Sequence, residues 1–257
     1  MRRAIRASRR GARDATRREF CALALAGVAF PFATLARATL RSELPREVAG
    51  VALPRSAVAV RAAQFARRSC PQFLFNHCMR TFLFGALELQ RQKITFNEDD
   101  AFVAAALHDL GLLPEFASRS QSFEVDGANA AEKFARQAAF SSADAAVVWH
   151  SVALHDTRAA FTKHSGPEAL LVSFGAGSDV DGPGLDSADQ RKQMEEIVQA
   201  FPRLQFKRQF TELLVAQCQR KPLSQRGTWL EGLCRQTAPA AWTDSVPAEI
   251  AAAPFAE

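Results

Sequence analysis

The chain has 257 residues, 48% of them hydrophobic, enough to bury a core in one sizeable domain or two small ones. Its net charge of +5 is unevenly placed: residues 1–38 hold nine arginines and two acids, and without that +7 the remainder stands at −2. A nucleic-acid footprint needs a basic face on the folded domain, so no nucleic-acid partner is expected.

The first 38 residues read as an address. Residues 2–18 are basic, Arg17 and Arg18 are paired before Glu19-Phe20, residues 21–30 are apolar, and Ala36-Arg37-Ala38 offers small residues for cleavage. That order is the pattern of a secretory signal of the twin-arginine type. It implies the twin-arginine export machinery as a partner and a periplasmic destination. The apolar run is cut by Pro31 and is short of the ~20 residues that span a bilayer, so no stable membrane anchor is expected. In an oxidising compartment Cys70, Cys78, Cys218 and Cys234 can form disulfides. They show no CxxC or zinc-ribbon spacing, and free buried thiols remain equally open.

Beyond the signal, long Ala/Leu/Val/Phe/Arg-rich stretches with few alternating Val/Ile/Thr runs predict an all-α protein. Residues 39–53 read as a linker. A first helix is expected from Pro54 to Cys70, a second over 71–92, and a third after Asn97, a good N-cap followed by Asp99 and Asp100. The third stops at Gly111. A helix opening near Asp126-Gly127 is expected within 122–139. Ser141-Ser142-Ala143-Asp144 has the capping-box pattern and starts another. Pro167 opens the next, with a stop around residues 177–184. Helices over 190–201 and 207–220 complete a domain of residues 54–236, and the Ala/Pro-rich residues 237–257 read as an extended or disordered tail.

Chemistry concentrates in one part of the chain. All five histidines, His77, His108, His150, His155 and His164, fall between residues 77 and 164. His108-Asp109 lies in an otherwise apolar run, and burying an ionised carboxylate without a partner costs several kcal/mol. The dipeptide alone fits a core hydrogen bond as well as two metal ligands, and His155-Asp156 repeats it. With His77 on the preceding helix and Asp179 at a later helix end, the chain supplies two imidazoles and two carboxylates, a donor set that suits zinc, iron or manganese. Asp181 rivals Asp179. His150 and His155 are five apart, roughly 140° around an ideal helix, so both can face one point only if the helix ends between them. Arg80 is expected to pair with Asp109 or Glu124. Glu124 and Asp126 read as orienting groups for ligand imidazoles or as helix-start acids.

These segments together resemble the HD-domain superfamily of metal-dependent hydrolases, whose pattern is a His, then a His-Asp pair, then a distant Asp. The supporting stretches are Asn76-His77 with Arg80-Thr81, Leu107-His108-Asp109-Leu110-Gly111, Ser122-Phe123-Glu124-Val125-Asp126-Gly127, and Phe201-Pro202-Arg203. They narrow the resemblance to a cyanamide hydratase-like subfamily. The resemblance implies a helical bundle around one divalent metal ion, zinc ahead of iron or manganese, held by His77, His108, Asp109 and Asp179. His150 and His155 are then the residues expected to move protons. Two departures bear on the substrate. No lysine follows the His-Asp pair to meet a phosphate, and Phe123 stands where two-metal relatives place a histidine. Both favour one metal and a small uncharged substrate. Water addition to a nitrile-like carbon is the expected reaction. Phosphate-ester hydrolysis and a non-catalytic binding module are the alternatives.

Overall fold

A computed structural model of the protein describes residues 44–157, 164–243 and 246–254. The twin-arginine-type segment 1–38 and the first part of the expected linker lie outside the described residues. The described chain is predominantly helical, an all-α bundle whose one sheet among these residues is a two-stranded hairpin.

That hairpin occupies the expected linker. Strands β1 (Glu47–Val48) and β2 (Val51–Ala52) are antiparallel. Ala49 and Gly50 between them have φ of 54° and 81°, the paired positive values of a type I′ turn. Val48, Val51 and Leu53 are buried, so this stretch is part of the core. Two residues per strand are too few to show alternation in the sequence.

Helix α1 (Ala57–Ser69) begins at a Ser56 cap, later than expected, because the Ser56 Oγ accepts from Ala59 N. The same Oγ donates to Asp99 at 2.6 Å and ties α1 to the start of α3. Pro71 separates α1 from α2 (Gln72–Gln92), and every residue of α2 from Phe73 to Leu87 is buried. A helix buried on all sides sits in the middle of a bundle, and α2 is that helix. Helix α3 (Glu98–Leu107) is capped by Asn97, whose side chain accepts from Asp99 N and Asp100 N. It is followed by a 3-10 turn, Leu110–Leu112.

Helix α4 (Phe123–Gln137) starts a turn before the expected Asp126-Gly127, since Ser122 supplies the cap. Helix α5 (Ser142–Ala153) is capped by Ser141, as its sequence pattern indicates. Helix α6 (Pro167–Asp181) has Pro167 in its first turn and runs through Gly175 and Gly177 to Gly182. Helices α7 (Ala188–Ala200, with a Ser187–Gln190 capping box) and α8 (Phe206–Arg220) follow.

The tail departs from expectation. Helix α9 (Glu231–Thr237) closes the expected domain, and the expected tail beyond it carries a 3-10 turn at Pro239–Ala241 and α10 (Val246–Ala251). A disulfide from Cys218 to Cys234 ties α9 to α8, and Arg235 lies over the Trp242 ring at 4.1 Å. Only the second of these contacts reaches into the stretch from residue 237, whose composition alone lacks a core-forming period. Cys70 and Cys78 are free and buried.

The pairing of α2 with α6 sets the site. A Cβ on Gly175 would fall 1.8 Å from Thr81 O, and one on Gly85 would fall 2.1 Å from Leu171 O. With His77 bonded to Asp179, these pairings step four residues forward on α2 and four back on α6. The two helices therefore run antiparallel with their backbones nearly touching, which only glycine permits. Gly175→Ala is expected to destabilise the protein by about 1–3 kcal/mol or more through overpacking. Urea unfolding checks this, and an unchanged midpoint would refute the close approach.

Candidate metal centre

His77 lies in the second turn of α2 and is buried. The Phe206 and Phe210 rings of α8 pack against it, with centroids 4.9 and 5.3 Å away. Its Nδ1 is 2.7 Å from Asp179 Oδ2. A carboxylate oxygen accepts, so Nδ1 carries the proton and Nε2 is bare. Helix α3 ends at Leu107, and the chain turns through His108 and Asp109 into the 3-10 segment. His108 Nδ1 donates to Ala105 O at 2.9 Å, which likewise leaves Nε2 bare.

Three acceptor atoms then meet. His108 Nε2 is 3.3 Å from His77 Nε2, and each is 3.3 Å from Asp109 Oδ2. Oδ2 is buried without a hydrogen-bond partner. Two lone pairs and a carboxylate oxygen, out of water and with no proton between them, repel one another unless a cation fills the centre. Ligands about 2.1 Å from one tetrahedral ion stand roughly 3.4 Å apart, so the observed triangle has a fitting size. His77, His108 and Asp109 form a group that can hold a metal ion.

The electrostatics carry the same demand for positive charge. Burial pushes the His77 imidazole down, but Asp109 and Asp179 beside it outweigh this and raise its pKa. Burial raises the Asp109 carboxyl, yet the imidazoles of His108 and His77 hold it far below the carboxylate range.

Asp179, expected as the fourth ligand, takes a different place. Its Oδ2 accepts from His77 Nδ1 and from Arg80 Nη2, and its Oδ1 accepts from Arg80 Nε and Arg203 Nη1, at 2.6–2.7 Å. Its lone-pair directions are filled. Asp179 therefore stands behind His77 and fixes the ring and its tautomer. Arg80 pairs with Asp179 rather than with Asp109 or Glu124, and its Nη1 also donates to Phe201 O at 2.9 Å. The motif residues Phe201-Pro202-Arg203 thus hold the arginine that holds the aspartate. Asp181 is exposed at the cavity rim.

The two remaining histidines separate. Helix α5 ends at Ala153, between them, and His155 turns inward while His150 stays on the exposed face. His150 Nδ1 donates to Ala146 O at 2.7 Å and lines no part of the cavity; its expected proton-moving role finds no support in its position. His155 is buried, its Nδ1 donates to Val152 O at 2.6 Å, and its bare Nε2 is 3.9 Å from Asp109 Oδ1. Burial, with the His108 imidazole beside it, lowers its pKa to about 4, so near neutral pH it is an uncharged proton acceptor.

Glycines again allow the close fit. A Cβ on Gly127 of α4 would lie 2.6 Å from His108 O, and one on Gly111 would lie 1.9 Å from Phe123 O. Helix α4 thus packs directly on the His-Asp turn. Asp126 pairs with the buried Lys221, which also donates to Gln121 O at 2.7 Å; it anchors the start of α4 and does not orient a ligand imidazole.

A cavity of about 210 Å³ opens over the centre, lined by His77, His108, Asp109, His155, Phe210 and Trp229 among others. It is smaller than the roughly 300–1,000 Å³ of pockets for drug-sized ligands. Sequence reasoning missed two of its features. Asp156, noted only as half of the repeated His-Asp dipeptide, lines it, and so does Trp229, which singles itself out only by being half-exposed. Among the described residues no helix is long and apolar enough to cross a membrane. No family model matches the chain, and the search of curated proteins finds no match.

Proposed function

We propose that the protein is a metal-dependent enzyme of the HD type, similar to cyanamide hydratase, that adds water to a small uncharged electrophile. The observation that supports this reading most is the meeting of His77 Nε2, His108 Nε2 and Asp109 Oδ2 at 3.3 Å, two bare imidazole nitrogens and an orphaned carboxylate oxygen beneath a small cavity. A divalent ion held by these three residues, zinc ahead of iron or manganese, would supply an activated water near neutral pH. His77 is held by Asp179 and His108 by Ala105 O, so both rings are oriented before anything binds. His155 Nε2, 3.9 Å from Asp109 Oδ1, would take the proton in this reading. Phe123 and Phe210 give the cavity apolar lining.

The cavity lining favours an uncharged substrate. Among the described residues lining it there is no lysine or arginine, while Asp156 and Asp181 are acids. A phosphate ester would meet these acids with no lysine or arginine beside the ion to offset them, whereas an uncharged nitrile-like group needs none. Export to an oxidising compartment is part of the same reading, and the Cys218–Cys234 disulfide supports it. The test is a panel of cyanamide, small nitriles and phosphate esters offered to purified protein before and after chelation. Turnover of cyanamide or a nitrile that stops with chelation and returns with metal is expected. Metal-dependent turnover of phosphate esters alone would replace this reading by the phosphohydrolase one, and no metal-dependent turnover would refute both.

A further inference from the structure

We infer that Glu124 and Asp156 form an acid pair that shares one proton and delivers it, through Asp156, to the substrate atom that gains charge as water adds. This rests on the reading of the site as a hydrating centre, and it assigns the proton donor that reading lacks.

Glu124 stands in the first turn of α4, and Asp156 follows the end of α5. Glu124 is 1% exposed, and all four carboxyl oxygens of the two residues are buried without a hydrogen-bond partner elsewhere. Other buried acids of this region differ. Asp179 has two arginines and Asp126 has Lys221, but among the described residues no cation meets Glu124 or Asp156. Two adjacent ionised carboxylates out of water, with no positive charge, are strongly unfavourable. One proton between them removes one charge and makes an O–H···O bond. Burial, and Asp156 beside it, push Glu124 up to about 9. Burial, and the charge of Asp109, raise Asp156 as well. Among the described residues, the other groups facing the pair are His155, which is neutral, and on the outer side Glu231 and Arg235, which bond each other at 2.8 Å.

Asp156 lines the cavity and Glu124 stands behind it. His155 is placed to accept protons and, with its lowered pKa, is no donor near neutral pH. As the water oxygen bonds to the nitrile carbon, a C–N π pair moves onto nitrogen. That nitrogen takes the pair's one proton, which passes from Glu124 to Asp156 and from Asp156 to the nitrogen. His155 Nε2 takes the proton the water gives up and returns it to the pair. One water is added, the product is the isomer that becomes the amide, and no other reactant is consumed.

The test uses the metal-loaded full chain, Glu124→Gln and Asp156→Asn, each replacing an acid by its amide. Infrared difference spectra are expected to show a protonated-carboxyl band in the wild type at pH 7 that titrates near pH 9 and is absent from Glu124→Gln. With the substrate the wild type turns over, kcat of both variants is expected to fall about 10²–10⁴-fold, with metal content and KM held. No such band at pH 7 overturns the shared proton. A band with kcat within about threefold of the wild type overturns the donor role, as does metal lost together with activity. A wild type inactive across the panel fails the proposed function instead, which is a different result from an absent band.

Discussion

Purified His108→Ala protein is expected to fold and to hold less than about a tenth of an equivalent of divalent metal. His108 gives the centre a nitrogen whose lone pair is bare only because Nδ1 donates to Ala105 O. Without it, His77 Nε2 and Asp109 Oδ2 remain, and two ligands do not hold a catalytic ion. Loss of an orienting partner behind a ligand already lowers metal affinity about 10–100-fold, so loss of the ligand itself is expected to exceed that. Wild-type affinity should also fall as pH is lowered, because metal displaces a proton from imidazole and the raised pKa of His77 makes that competition set in at higher pH than for an ordinary histidine. Chelator competition across pH measures both effects. Unchanged affinity in His108→Ala would contradict the site.

The second large effect is at Asp179. Asp179→Ala leaves Arg80, which is fully buried, without the carboxylate that binds its Nε and Nη2. Breaking a buried pair from one side costs about 3–5 kcal/mol, so this variant is expected to unfold at markedly lower denaturant or not to accumulate. Asp179→Asn keeps the shape and a carbonyl oxygen for Arg80. It is expected to stay folded and to bind metal about 10–100-fold more weakly, since it loosens His77 without removing a ligand. Folded Asp179→Asn that binds no metal at all would return Asp179 to the ligand set.

Much of the helical order was legible because its signals are local. Asn97, Ser141 and Pro167 are side chains or rings that act on the next three residues, and the helices begin where they stand. The glycines were harder. Gly177 reads as a stop, yet α6 runs through it, and Gly175 and Gly85 serve contacts made 90 or so positions away in the chain, which no local pattern encodes. His77, His108 and Asp109 stood out as polar groups in apolar runs, where burial must be compensated. Asp179 stood out equally, but its role depends on how many donors reach its lone pairs. Those come from Arg80 and Arg203, 99 and 24 residues away. His150 and His155 could be told apart only by where α5 ends. The Glu124–Asp156 pair was invisible because each acid looks like an ordinary helix-end charge until the fold removes both from water.

The reading of the centre is tested most directly by metal-edge X-ray absorption together with anomalous diffraction on metal-loaded crystals. The expected result is an ion bound by His77 Nε2, His108 Nε2 and Asp109 Oδ2 at about 2.0–2.2 Å, with Asp179 still bonded to His77 Nδ1, Arg80 and Arg203. An ion bound elsewhere, or none in protein given excess metal, would contradict it.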